Sequence, residues 1–123
     1  MPPSCTHLVF REGGERAGTE GYGCGRGTTW PVGSKLPGAS PYGLLDMVGN
    51  LMVWVADCPH GNYDGAPTDG TAWTTQCSSQ QRTVRSGAYY EASAAKLRAA
   101  TRSSRNPNDH YGYMGVRCVR PAP

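Results

Sequence analysis

The side chains that could do chemistry in this chain of 123 residues are few and widely spaced. The five cysteines form no CxxC pair, and their spacings fit no zinc motif. They are compatible with two disulfides plus a free thiol in an oxidising compartment, or with five reduced thiols in a cytosol. The three histidines lie far apart, each is expected to be solvated rather than a ligand, and no Ser-His-Asp arrangement can be identified from the spacing. These residues are Cys5, Cys24, Cys58, Cys77, Cys118, His7, His60 and His110.

The composition predicts a single domain that is rich in turns. The chain contains 17 glycines and 10 prolines, and it has seven tyrosines and three tryptophans against one phenylalanine. Amphipathic aromatic side chains of this kind are typical of half-buried or ligand-binding surfaces. The net charge of +3 comes without a basic cluster, which argues against nucleic-acid binding. No apolar run is long enough for a membrane span. The first residues do not resemble a signal peptide, but an exported precursor could have lost one, so the localisation stays open.

Regular secondary structure is expected to be sparse. The first 30 residues show no periodicity and are expected to contribute nothing to a core. Three strands are predicted, the second of them interrupted at Ser86-Gly87, and one segment fits a short helix or a strand equally well. A turn-rich loop precedes the last strand. The strands are predicted at 51–56, 82–90 and 114–120, the ambiguous segment at 93–102 and the loop at 103–113.

Six short motifs occur in the order in which a known family has them. They are PVGS (31–34), YGLLDMVGNLMVWVAD (42–57), GAPTDGTAW (65–73), RTVRSGAYY (82–90), LRAATRS (97–103) and MGVRCVR (114–120). Together they resemble the sulfatase-modifying-factor family, which includes the formylglycine-generating enzyme. The resemblance implies an α+β fold related to C-type lectins, with a few short antiparallel strands and mostly irregular loops. It covers residues 31–123, which correspond to the C-terminal half of the family domain, and leaves 1–30 as a poorly patterned segment. A missing N-terminal half of the domain is therefore one expected partner.

The enzyme of this family oxidises a sulfatase cysteine with a copper ion held by two cysteines. By resemblance those cysteines would lie between Gly87 and Arg102, and this interval contains none. Copper(I) requires soft sulfur ligands, which Tyr and Glu cannot replace. The sequence therefore predicts a non-catalytic relative that acts as a binding or scaffold domain. The alternative of a functional formylglycine-generating oxidase is disfavoured by the missing cysteine pair.

The resemblance also implies a calcium site around the Gly-Asn turn. By position, Asp46 would supply a carboxylate, and Gly49 and Leu51 would supply carbonyl oxygens. Val53 stands where the family has a glutamate ligand, and calcium requires six to eight oxygens. The second interpretation is a turn in which Asp46 only caps backbone amides. Ca²⁺ is the only cofactor that the sequence suggests.

The family pattern further implies a disulfide between Cys58 and Cys77, and Cys5 and Cys24 would form the other pair. Cys118 resembles a family cysteine that pairs with one in the N-terminal half of the domain. It is therefore expected to have no partner in this chain.

Some relatives are variable proteins of diversity-generating retroelements, which display a ligand-binding surface near the C-terminus. Two segments of this chain, 88–93 and 103–113, depart from the family pattern while the motifs around them are kept. Their Tyr, Ser, Asn and His residues are typical of adaptable binding surfaces. The second functional hypothesis is therefore display of a variable surface that binds an unidentified protein or small ligand. Its candidate residues are Tyr89, Tyr90, Glu91, Ser103, Ser104, Asn106, Asn108, His110, Tyr111 and Tyr113.

Overall fold

The computed structural model describes residues 2–119, and most of this backbone is irregular. It contains four short strands and three 3₁₀ helices. The first helix is broken at Gly18, where φ is 56°. The strands are β1 (Met52–Trp54), β2 (Arg82–Arg85), β3 (Ser103–Arg105) and β4 (Met114–Gly115), and the 3₁₀ helices are Gly14–Gly21, Leu36–Gly38 and Ala94–Leu97.

The four strands form one sheet in the order β3-β2-β1-β4. β2 is antiparallel to both β1 and β3, as predicted. The expectation of antiparallel strands is wrong for the last pair, because β4 runs parallel to β1, with Met52 opposite Met114. A parallel neighbour requires a long connection rather than a hairpin. The whole stretch from β2 through β3 supplies that connection.

The strands are shorter than their sequence patterns predicted. β2 stops at Arg85 because Ser86 and Gly87 both have positive φ, 93° and 79°, which turns the chain sharply. The ambiguous segment forms a 3₁₀ helix, and the expected loop at 103–113 begins as β3. The last strand covers only Met114–Gly115, and the part of that prediction at position 120 lies outside the described residues.

The N-terminal segment belongs to the core, which corrects the expectation that it contributes nothing. Val9 is 1% exposed and Phe10 is 7% exposed. Val9 forms a parallel bridge with Gly49, and its carbonyl accepts a 2.7 Å hydrogen bond from the N–H of Asn50. Two residues in an otherwise glycine-rich polar segment give no periodicity to recognise. Their burial depends on contacts 40 residues away in the chain.

Two disulfides staple the irregular regions, with the predicted pairings Cys5–Cys24 and Cys58–Cys77. Cys118 is an exposed free thiol. Inside the second loop the half-buried His60 ring stacks on Trp73 with centroids 3.4 Å apart, so His60 also contributes to packing. None of the helices in the described part of the chain combines the length and apolar character needed to cross a membrane.

Candidate ligand-binding surface

Five of the seven tyrosines form one continuous aromatic group, which we call the tyrosine surface: Tyr22, Tyr89, Tyr90, Tyr111 and Tyr113. Tyr90 is at its centre. Its ring centroid lies 5.6 Å from that of Tyr89, 5.1 Å from that of Tyr113 and 6.1 Å from that of Tyr22. Tyr111 extends the group, with its centroid 5.1 Å from that of Tyr113. The two candidate segments, 88–93 and 103–113, thus meet through their tyrosines.

The sheet and the turn after β2 position this surface. Alternation along the strands places Met52 and Val84 on one face, where they form the core with Ala88. Tyr90 and Tyr113 pack against that core. The backbone is fixed on both sides, because the N–H of Tyr89 donates to the carbonyl of Asn50 at 2.8 Å and the N–H of Met52 donates to the carbonyl of Tyr113 at 2.9 Å.

Two hydroxyl groups of the surface are perturbed. Burial raises the pKa of Tyr90, and the neighbouring Tyr113 acts in the same direction while Arg105 opposes it. The Tyr111 hydroxyl donates to Oδ2 of Asp109 at 2.7 Å, and this hydrogen bond is the main reason why the pKa of Tyr111 is raised.

The other predicted surface residues differ in accessibility. Glu91 is only 7% exposed, and its Oε1 accepts a 3.0 Å hydrogen bond from the N–H of Ser93. Ser104 donates to Oε1 of Gln81 at 2.6 Å, and Ser103 accepts from Nη1 of Arg105 at 2.9 Å. The remaining three lie on an exposed turn in which Oδ1 of Asn106 accepts from the N–H of Asn108 at 3.0 Å. They are Asn106, Asn108 and His110.

Sequence reasoning missed two members of this region, Tyr22 and Arg11. The Tyr22 ring meets Tyr89 edge-on with centroids 6.0 Å apart, and Cζ of Arg11 lies 5.4 Å from the Tyr22 ring centroid. Both are in the unpatterned N-terminal segment. The signal that could have found Tyr22 is its position two residues before Cys24, because the disulfide to Cys5 ties that stretch to the domain.

The residues of the implied calcium site do meet at one cavity of about 110 Å³. Asp46 supplies the only carboxylate among its lining residues, and Arg117 brings a positive charge to the same cavity. Oδ2 of Asp46 already accepts the N–H of Gly33 at 2.7 Å, and the carbonyl of Gly49 accepts the N–H of Leu51 at 2.9 Å. No group of three or more His, Cys, Asp or Glu side chains in residues 2–119 could hold a metal ion. This donor set does not fit Ca²⁺.

Two solved structures have the same fold as this chain. The structure superposes on PvdO from Pseudomonas aeruginosa with a TM-score of 0.72 and 32% sequence identity, over 92% of this chain and 38% of that one. It also superposes on variable protein 1 of Treponema denticola with a TM-score of 0.57 and 20% identity, over 90% of this chain and 34% of that one.

The chain thus spans well under half the length of both structures, which share its C-type-lectin-like fold. No curated protein sequence matches it significantly. Residues 14–122 match the family model of the sulfatase-modifying factor enzyme 1-like domain. The motifs, the fold and this match together establish that the chain belongs to the sulfatase-modifying factor enzyme 1-like family.

Proposed function

We propose that this chain is a non-catalytic member of its family that binds a ligand through the tyrosine surface. The observation that carries this proposal is the contact between Tyr90 and Tyr113, whose centroids are 5.1 Å apart. It joins the two segments that depart from the family pattern into one face. Tyrosine supplies a large amphipathic contact area at a low cost in conformational entropy, so five adjacent rings suit binding.

The cysteine inventory supports the non-catalytic part of the proposal. Four of the five cysteines are paired in disulfides, and the fifth is the exposed Cys118. The copper site of the formylglycine-generating enzyme needs two cysteine thiolates. By resemblance they would lie between Gly87 and Arg102, and that interval has no cysteine. Copper(I) binding and oxidation of a sulfatase-derived cysteine peptide by the purified protein are expected to stay at background. Turnover at the rate of the enzyme would overturn this part of the proposal.

The binding part is tested by screening a set of small aromatic fragments against ¹⁵N-labelled protein by NMR. Fragment contacts should perturb the amides of 88–91 and 109–113. The variant Tyr113→Ala should lose these contacts. The matched control is Tyr42→Ala, because Tyr42 is 89% exposed and lies outside the tyrosine surface. Fragments that map elsewhere, or that bind Tyr113→Ala unchanged, would contradict the proposal.

The second candidate function is ligand display by a variable protein of a diversity-generating retroelement. It is supported by the clustering of Tyr, Ser, Asn and His in 88–93 and 103–113. Asn50 and β2 hold these segments through backbone hydrogen bonds to Tyr89 and to β3. Sequencing the gene in many isolates of the source organism tests it. Substitutions confined to these two segments would support display. Substitutions spread evenly over the chain would contradict it.

A polypeptide partner is also proposed, as the family resemblance implied. Several apolar side chains around 32–47 are exposed, and a cavity of about 610 Å³ with mostly apolar walls lies beside them. A segment of the family domain that lies outside this chain is the proposed occupant. Supplying the N-terminal part of a related domain in trans should raise the melting temperature of this chain. No change in melting temperature would contradict the proposal. The exposed residues are Val32, Leu36, Tyr42, Leu44 and Met47.

A further inference from the structure

A third cavity, of about 240 Å³, opens beside Tyr90, and we call it the cationic cavity. Met52, Val84 and Tyr90 contribute its apolar wall. Four basic side chains and one acidic side chain also line it, which gives a net charge of +3. The charged lining residues are Arg85, Lys96, Arg102, Arg105 and Glu91.

The single carboxylate does not neutralise the arginines. Within residues 2–119 the only ion pair joins Nζ of Lys96 to Oε2 of Glu91 at 3.8 Å. The Lys96 side chain is 67% exposed, so this pair is weak and screened by solvent. The other carboxylate oxygen of Glu91 accepts the N–H of Ser93 at 3.0 Å. Glu91 therefore contacts Lys96 and the backbone of Ser93, and no arginine within residues 2–119 has a carboxylate at salt-bridge distance.

Two of the guanidinium groups are held in place and still have donors to offer. Nη1 of Arg105 donates to Oγ of Ser103 at 2.9 Å and to the carbonyl of Ser104 at 2.7 Å. These contacts use one of its three nitrogens. Cζ of Arg102 lies 3.5 Å from the ring centroid of Tyr63. Such stacking uses the face of the guanidinium and leaves its N–H edge available. Fixed arginines bind carboxylate or phosphate groups through paired hydrogen bonds.

We propose that the cationic cavity binds an oxyanion group, a carboxylate or a phosphate, of the ligand whose remainder lies on the tyrosine surface. The proposal rests on the proposed binding function and names the chemical class of the ligand. The cavity is smaller than the roughly 300–1,000 Å³ of a typical small-molecule site, so it suits one charged group rather than a whole ligand. Its apolar wall strengthens the attraction between the arginines and the anion, because less water screens them.

The test is an NMR titration of ¹⁵N-labelled protein with sodium phosphate and with sodium acetate, against sodium chloride at the same ionic strength. Gly87, Thr101 and Ser103 line the cavity, and their amide signals should shift saturably with phosphate or acetate but not with chloride. Phosphate binding alone assigns a phosphate-type group, and acetate binding assigns a carboxylate. Arg105→Gln should weaken binding about tenfold or more, the usual size of a lost charge-assisted hydrogen bond.

Arg16→Gln is the matched control, because it removes the same charge from an exposed site outside the cavity, and it should change affinity less than about twofold. If Arg105→Gln does not fold, Arg102→Gln replaces it. Absence of saturable shifts with both anions, or equal weakening by Arg16→Gln, would overturn the proposal. Loss of anion binding in Arg105→Gln with fragment binding kept would show two separate subsites. Failure of the anion titration alone leaves the fragment test of the tyrosine surface intact.

Discussion

The side chain of Asn50 pairs with both backbone polar groups of Trp30. Nδ2 of Asn50 donates to the carbonyl of Trp30 at 3.0 Å, and Oδ1 accepts from the N–H of Trp30 at 2.9 Å. Asn50 is 4% exposed and has a φ of 65°, a conformation that Asn tolerates better than most residues. Its own N–H donates to the carbonyl of Val9, and its own carbonyl accepts the N–H of Tyr89. One residue therefore connects the N-terminal segment, the core and the tyrosine surface.

Replacing Asn50 by Ala should destabilise the fold strongly. The change leaves the half-buried N–H and carbonyl of Trp30 without their partner, and a buried polar group without a partner costs about 1–3 kcal/mol. We expect a loss of about 2–4 kcal/mol in the free energy of unfolding, measured by urea denaturation. The control Asn62→Ala, at an exposed turn, should change it by less than about 1 kcal/mol. Equal effects of the two substitutions would contradict the role of Asn50.

Gly49 is required for close packing as well as for its backbone conformation. A Cβ at Gly49 would lie 2.3 Å from the carbonyl oxygen of Val9, and its φ is 79°. Gly43 has a φ of 75°, and a Cβ there would meet no atom within 4 Å. Gly43→Ala should therefore cost only the backbone strain of about 1–2 kcal/mol, and Gly49→Ala should cost clearly more. Thermal unfolding of the two variants measures the difference, and equal melting temperatures would refute the close contact.

Asp46 is expected to act as a cap for the N–H of Gly33 rather than as a calcium ligand. Ca²⁺ should then leave the melting temperature of the wild-type protein unchanged relative to Mg²⁺. Asp46→Asn keeps an acceptor and should have little effect, whereas Asp46→Ala should cost about 1–2 kcal/mol. A saturable stabilisation by Ca²⁺ that Asp46→Asn abolishes would establish the calcium site instead.

Stability should fall at alkaline pH through Tyr90. Its folded-state pKa is raised by burial, so its contribution is complete below the unfolded-state pKa near 10 and is lost as pH rises through the folded-state value. The free energy of unfolding, measured by urea at a series of pH values, should decline less steeply above about pH 10 in Tyr90→Phe than in the wild type. Identical slopes would show that Tyr90 does not contribute.

The cysteine pairing predicts a specific alkylation pattern. In denaturant without reductant only Cys118 should react with iodoacetamide, because the other four cysteines are paired. After reduction all five should react. Mass spectrometry counts the additions. Reducing Cys58–Cys77, which closes a loop with a sequence separation of 19, should also lower stability by about 3 kcal/mol in the chain-entropy model. More than one addition before reduction would contradict the pairing.

Much of the chain could be predicted from local patterns. The family motifs gave the fold class, and the missing cysteines between Gly87 and Arg102 gave the non-catalytic hypothesis. β1 and β2 were found because their β-branched and aromatic residues favour strands locally, although their ends were not, since Ser86-Gly87 turns the chain earlier than the pattern indicates. β3 was missed because Ser103-Ser104-Arg105 has no apolar alternation, and its place in the sheet depends on pairing with β2.

The sequence by itself determined the family, the turn at Gly49-Asn50 and the candidate segments at 88–93 and 103–113. Only the tertiary structure decided that the Asn50 side chain hydrogen-bonds the backbone of Trp30. It also decided that Val9 is buried and that the Tyr22 ring packs near Tyr90. These contacts link irregular segments whose backbone polar groups must find partners outside any regular element. Such hydrogen-bond partners lie far apart in sequence, and their positions follow no regular spacing along the chain. Local pattern therefore cannot specify them, and the packing of the whole chain does.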